Sequence, residues 1–182
     1  VEFAVNLDYE KNEQNRFYLL QIRPIVDPNK AIDEDLTLVP QENTLITSKQ
    51  ALGNGILEDI YDVLYVKKGM FNPSNNQLIA YDIDKYNKQM LKENRPYILI
   101  GPGRWGSSDT WLGIPVKWPH ITGAKVIVEA GETSYHIDPS QGTHFFQNLT
   151  SCGSAYLTVD SYDEEECFNE DFLETLEVIE EN

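Results

Sequence analysis

The chain has few cysteines, few basic residues and no long apolar run. Its 182 residues include two cysteines, Cys152 and Cys167, which stand in no Cys-x-x-Cys or Cys/His spacing, so we expect reduced thiols. No apolar run approaches the roughly 20 residues that a membrane-spanning helix needs, and no basic-then-apolar leader opens the sequence. These absences predict a soluble, cytoplasmic protein that has no membrane partner.

Basic residues are scarce throughout, since 14 lysines and arginines face 30 acidic residues and the net charge is −16. The segment from Asp160 to Asn182 holds 11 of the acidic residues and no lysine or arginine. Because nothing clusters basic side chains along one face, we expect no nucleic-acid partner. Four apolar residues at helical spacing predict an acidic, amphipathic C-terminal helix within residues 161–182: Phe168, Phe172, Leu176 and Ile179.

The length of the chain suits one domain, or one domain with a fragment of another. The sequence starts at Val1 within a strand-like pattern and without an initiating methionine. We therefore expect the chain to be a piece of a longer protein.

Two strand-like runs lie near the N-terminus, and the first of them alternates polar and apolar side chains. Glu2–Leu7 and Arg16–Ile25 are predicted strands, and the polar residues between them are typical of a turn. The pattern predicts a β-hairpin over residues 1–26. The polar, proline-containing stretch that follows predicts a linker over residues 27–50.

Strand-like and helix-like patterns alternate between residues 51 and 160. A helix is predicted over Asp82–Asn94, where four apolar residues share one face. The β-branched, apolar runs predict strands at Ile60–Val66, Tyr97–Ile100, Ala124–Glu129 and Ser154–Val159. This order favours an α/β domain over residues 51–160, with helices packed on a mixed sheet.

A loop rich in glycine and tryptophan, Gly101–Trp111, follows one of these strands. Its glycines and serines expose backbone N–H groups to an anion, and Arg104 would add a charge-assisted contact. The loop is not a P-loop, because it has no Gly-Lys-Ser or Gly-Lys-Thr. Two other interpretations stay open: the tryptophans pack over the edge of the core, or they form an aromatic platform beside Asp109 that binds a sugar ring.

A second loop, Pro139–Gly142, precedes a short helical pattern that begins near His144 and ends at Gly153. Unpaired backbone N–H groups and the helix dipole favour an anion at such a position, so His144 is a candidate phosphoryl carrier. His136 is an alternative, but the Ile-Asp-Pro that follows it cannot continue a helix. A histidine that only caps or packs at the helix start is the other possibility.

The unit around His144 resembles the phosphohistidine swivelling domain of the phosphoenolpyruvate synthase and pyruvate phosphate dikinase family. In that family a Gly-rich loop ends in Thr-Ser-His, a helix follows, and a glycine nine residues after the histidine leads into a strand. His144 and Gly153 reproduce this offset, although the loop here ends in Gln-Gly-Thr-His. The resemblance implies a swivelling, phosphohistidine-like domain in which His144 carries a phosphoryl group.

The N-terminal hairpin resembles the closing hairpin of the ATP-grasp domain in the same family, through Leu-Gln-Ile-Arg-Pro in its second strand. The resemblance implies that Glu2 and Gln21 help to hold Mg²⁺, and that Gln21 and Arg23 contact ATP. Hard magnesium prefers oxygen ligands, and a guanidinium fork suits phosphate oxygens. We expect Arg104 to join these residues in binding the nucleotide phosphates.

The resemblance implies that the parent protein is a phosphotransferase that uses ATP and Mg²⁺. A pyruvate-like acceptor would bind in domains outside this chain, so the chain alone is expected to be inactive. One alternative is a non-catalytic module of the same fold that regulates or binds a partner. A further alternative is a carbohydrate-binding loop at Gly101–Trp118.

Overall fold

A computed structural model describes residues 2–6, 16–21, 39–40, 43–53, 55–67, 70–131, 149, 153–160 and 162–181. The chain divides into two compact units, Val1–Ala31 and Ile32–Asn182.

The first unit contains two antiparallel strands, β1 (Glu2–Asn6) and β2 (Arg16–Gln21). Alternating apolar residues place Phe3 and Phe17 on one face, where their rings stack with centroids 5.3 Å apart. The register has an irregularity between Glu2 and Phe3, and it pairs Glu2 directly with Gln21.

The second unit is built around a five-stranded mixed sheet. Its elements are, in chain order, β3 (Ile46–Thr47), β4 (Gln50–Leu52), β5 (Asp62–Tyr65), α1 (Asn76–Lys92), β6 (Tyr97–Pro102), β7 (Arg104–Trp105), β8 (Gly113–Ile114), a 3-10 helix (Trp118–His120), β9 (Ala124–Ala130), β10 (Ala155–Val159), β11 (Cys167–Phe168) and α2 (Glu170–Glu174).

The strand order in the sheet is β4-β10-β9-β6-β5. The last four strands are parallel, and β4 is antiparallel to β10 at one edge. This arrangement confirms the predicted α/β class with a mixed sheet.

The sheet has a core on each face, because side chains alternate along its strands. Leu99 and Ile127 pack beneath α1, which contributes Ile83 from its inner face. Their neighbours Ile100 and Val128 point to the other face, where partly buried residues of β3, β11 and α2 cover them. The two faces of the sheet are therefore covered by different elements.

Helix α1 begins at Asn76, six residues earlier than predicted. Asn76 is a poor helix former, but its side chain is fully buried and donates to the carbonyls of Thr110 and Gly113 at 2.7 and 3.1 Å. This tertiary contact stabilises the first turn. The helix ends just before Pro96, with Asn94 at φ 54° and the Arg95 N–H donating to the Met90 carbonyl at 2.8 Å.

The predicted C-terminal helix is much shorter than expected. Helix α2 spans five residues, with the Asn169 side chain as its N-terminal cap. Two ion pairs follow in the chain beyond it. The Glu180 carboxylate lies 3.2 Å from Lys85 Nζ, and the Glu181 carboxylate lies 2.5 Å from Lys67 Nζ. The acidic tail has no basic residue of its own, so its carboxylates pair with lysines that are distant in sequence.

Part of the predicted linker is also structured. Within residues 43–50, strand β3 pairs with β11 and β4 starts at Gln50. Lys49 joins this region to the acidic segment, since its Nζ lies 2.8 Å from Asp163 and 2.7 Å from Glu165. Among the residues that the structure describes, no helix is long and apolar enough to cross a membrane.

Candidate functional site

The carboxyl ends of the parallel strands meet at one edge of the sheet. The register aligns Pro102 of β6 with Ala130 of β9, and Ala130 with Val159 of β10. The ladder continues one residue further, where the Gly131 N–H donates to the Val159 carbonyl at 2.8 Å. Ligands of parallel α/β sheets bind in crevices outside the carboxyl ends of the strands, so this edge is the candidate site.

The loop that leaves β6 at this edge forms a small parallel ladder. Gly103 at φ 70° and Gly106 at φ 77° bracket the two residues of β7, and such left-handed backbone favours glycine. The N–H groups of Arg104 and Gly106 donate to the carbonyls of Leu112 and Ile114, each at 2.9 Å. The loop is therefore held in one defined shape.

Gly113 is the position where this ladder is tightest. A Cβ atom at Gly113 would lie 1.8 Å from the carbonyl oxygen of Arg104, which is far inside van der Waals contact. Only glycine lets β7 and β8 approach this closely. The glycine therefore fixes the position of the Arg104 backbone.

Trp105 is part of the core and anchors the loop to the sheet. Its side chain is 1% exposed, and its indole Nε1–H donates to the Val128 carbonyl at 2.8 Å. The ring fills the space above Gly101, where a Cβ would lie 2.5 Å from a ring carbon. Trp105 thus packs over the core edge and offers no stacking surface to a sugar, whereas Trp111 is 64% exposed.

Glu129 is the residue of this site that the sequence interpretation missed. It ends the apolar run of β9 and shares a face with Ile127, yet its side chain is only 5% exposed. Its Oε1 accepts a hydrogen bond from the backbone N–H of Trp105 at 2.9 Å. A charged residue on the core-facing side of a buried strand was the available signal, because carboxylates are seldom buried without a specific partner.

The carboxyl edge carries cationic side chains as well. Arg104 is half-buried and has a polar partner. Lys67 follows the end of β5, next to Val66, whose N–H donates to the Ile100 carbonyl at 2.9 Å. Hydrogen bonding to Glu181 raises the pKa of Lys67, so the lysine stays charged. The edge therefore combines two cations with one buried carboxylate.

The opposite, amino edge of the sheet has a shallow depression, lined by Asp59, Tyr61, Asp62, Asn94, Arg95 and Pro96. Arg95 pairs there with Asp62 through two guanidinium nitrogens, and its Nη1 donates to Glu93 at 3.1 Å. Since the helix cap and these ion pairs account for its shape, the depression is a structural corner between α1 and the sheet.

The predicted site residues divide into three groups. Glu2 and Gln21 are directly opposite each other in the β1–β2 pair, and Arg104 lies at the carboxyl edge of the sheet in the second unit. Arg23, His136 and His144 lie outside the described residues. Within the described ranges, no group of three or more His, Cys, Asp or Glu residues could hold a metal ion.

Fold and site together define an α/β protein whose parallel sheet presents a loop-built, charged carboxyl edge. Neither a protein-family model, nor a curated protein, nor a solved structure matches this chain.

Proposed function

We propose that the chain is the C-terminal part of a phosphotransferase of the phosphoenolpyruvate synthase and pyruvate phosphate dikinase type, with His144 as its phosphoryl carrier. The observation that supports the proposal is that β9, the strand before the His144 segment, ends at the carboxyl edge of the sheet. The segment containing His144 leaves β9 at Gly131, at the same edge as the Arg104 loop, and returns to the sheet at β10. Leu149, five residues after the histidine, is helical and fully buried.

In the proposed reaction the imidazole of His144 attacks phosphorus. Neutral imidazole is a competent nucleophile near pH 7, because its pKa of about 6.5 leaves most of it unprotonated. The nitrogen–phosphorus bond forms while the bond from phosphorus to the bridging oxygen of the nucleotide breaks, and the ring then loses its N–H proton. The resulting phosphoramidate transfers its group to a pyruvate-like acceptor bound by other domains.

Arginine supplies the charge that this transfer needs. Phosphoryl transfer spreads negative charge over the equatorial oxygens, which guanidinium groups stabilise through paired hydrogen bonds. We assign this role to Arg104 in the second unit and to Arg23 in the hairpin, where Gln21 would add a neutral contact to ATP. A rigid loop supports the assignment of Arg104, since a fixed backbone positions the side chain.

ATP and Mg²⁺ would be held by the hairpin over residues 1–26. The register pairs Glu2 with Gln21, and residues with oxygen-bearing side chains at paired positions support a magnesium site, since Mg²⁺ prefers oxygen ligands. The ion would neutralise phosphate charge when bound. Phe3 and Phe17 are 59% and 62% exposed, which supports a ribbon that belongs to a larger ATP-grasp sheet, since isolated two-stranded ribbons are marginally stable.

The test is labelling of the full-length cytoplasmic protein by ATP that carries radioactive phosphate. We expect a label that is lost in acid, as phosphoramidates are, and that disappears in His144→Ala. His120→Ala is the matched control, because His120 is tied into the 3-10 helix, where its Nδ1 accepts from the Lys117 N–H at 3.2 Å.

Label that persists in His144→Ala and disappears in His136→Ala would move the carrier to the other histidine. An unlabelled native protein would contradict phosphotransfer and favour the second candidate, a non-catalytic regulatory module of the same fold. The acidic tail favours this alternative, because its Glu181 forms an ion pair with Lys67 beside the carboxyl edge.

A further inference from the structure

We propose that Glu129 is a positioning residue, which holds the Arg104–Trp105 strand so that Arg104 can bind a phosphoryl anion at the carboxyl edge. The inference rests on the proposed function and adds a residue that the family resemblance does not supply.

The hydrogen-bond pattern of β7 explains why an acceptor is needed at this point. In a parallel pair, alternate residues direct their N–H groups toward the partner strand. Arg104 and Gly106 donate to β8, so the N–H of Trp105 points the opposite way, toward β9. Glu129 supplies the acceptor there, at 2.9 Å. Its carboxylate thus takes the place that a strand carbonyl would have in a wider sheet.

Burial makes a carboxylate a costly choice for this role. Removing an ionised group from water costs several kcal/mol, and a neutral acceptor would satisfy the same N–H group. An ionised carboxylate forms a stronger hydrogen bond than a neutral acceptor does, and both of its oxygens act only as acceptors. The Glu129 carboxylate therefore adds a directional contact to the packing that holds Trp105.

The geometry of Arg104 shows what the anchoring achieves. Arg104 and Trp105 lie between Gly103 at φ 70° and Gly106 at φ 77°. The Arg104 N–H donates to the Leu112 carbonyl. The next residue, Trp105, is fixed by Glu129 and by the indole contact to Val128. Without the Glu129 contact, the glycines on both sides would let the backbone of Arg104 and Trp105 shift relative to the carboxyl edge.

The experiment measures binding of inorganic tripolyphosphate to the chain by calorimetry, in metal-free buffer of low ionic strength. We expect Arg104→Met and Glu129→Leu each to weaken binding about tenfold, the size of one charge-assisted contact. Glu129→Gln keeps an oxygen acceptor for Trp105, so we expect a loss of only about threefold. Glu93→Gln removes the same charge at the amino edge and is expected to leave affinity unchanged.

A purely structural role gives a different result. In that case Glu129→Leu would shift the thermal midpoint while the folded chain bound tripolyphosphate as well as the native chain, and this outcome would overturn the proposal. Equal losses in Glu129→Gln and Glu93→Gln would also overturn it, since they would reflect net charge alone. An Arg104→Met variant that binds tripolyphosphate as tightly as the native chain would overturn the proposal as well.

The binding test and the labelling test fail independently. Suppose that the native chain binds tripolyphosphate through Arg104 and Glu129, but that ATP does not label His144. This result would support the positioning role of Glu129 and contradict the proposal that His144 is a phosphoryl carrier.

Discussion

Trp105→Ala is expected to lower the free energy of unfolding by about 3–5 kcal/mol, the usual range for truncating a buried tryptophan. The side chain is 1% exposed, and its removal leaves a cavity above Gly101 and breaks the indole hydrogen bond to the Val128 carbonyl. The cost combines lost apolar burial, the cavity and one buried hydrogen bond. Urea unfolding followed by circular dichroism measures the change as a lower midpoint at constant slope.

Trp111→Ala is the matched control, because it removes the same side chain from the same loop at an exposed position. We expect a change within about 0.5 kcal/mol, as for other surface substitutions. Equal effects of the two substitutions would mean that Trp105 is not the anchor of the loop.

Asn87→Ala is expected to cost about 3 kcal/mol, since each buried polar group left without a partner costs about 1–3 kcal/mol. The fully buried Asn87 Oδ1 accepts from the Tyr97 hydroxyl at 3.0 Å and from the Gly123 N–H at 2.9 Å. Its Nδ2 donates to the Pro119 carbonyl at 3.2 Å. Burial raises the pKa of Tyr97, so the phenol remains a donor. One amide therefore joins α1, β6 and the turn before β9.

The control for this substitution is Gln89→Ala, at an exposed position of the same helix. Alanine is the better helix former at both sites, so propensity alone would stabilise both variants and cannot produce the expected loss in Asn87→Ala. A double-mutant cycle with Tyr97→Phe should give a coupling energy of about 1 kcal/mol, because the two side chains share one hydrogen bond. A coupling of zero, measured by the same urea unfolding, would contradict the proposed network.

The α/β class was predictable from the sequence, because interleaved strand and helix patterns are local signals. β-branched runs such as Ala124–Glu129 predict strands. Pro96 disfavours helical backbone at Arg95, which predicts that α1 ends before it. The place of Arg104 in a glycine-rich loop after a buried strand was also predictable, whereas its role in binding phosphate stays a prediction.

Contacts between distant residues were not predictable in this way. The early start of α1 depends on Asn76 reaching a loop more than 30 residues away. Beyond the short α2, Glu180 and Glu181 pair with lysines in another part of the chain. The role of Glu129 appears only when β9 lies beside the Arg104 loop, because alternation along one strand says nothing about the neighbouring N–H group.

The most direct test of the central claim is a map of where a phosphoryl anion binds to the native chain. Nitrogen-15 amide shifts recorded during a titration with tripolyphosphate provide this map. We predict the largest shifts at Gly103, Gly106 and Gly131, around the carboxyl ends of the parallel strands. Largest shifts at Asp62 and Arg95, on the amino edge, would contradict the claim.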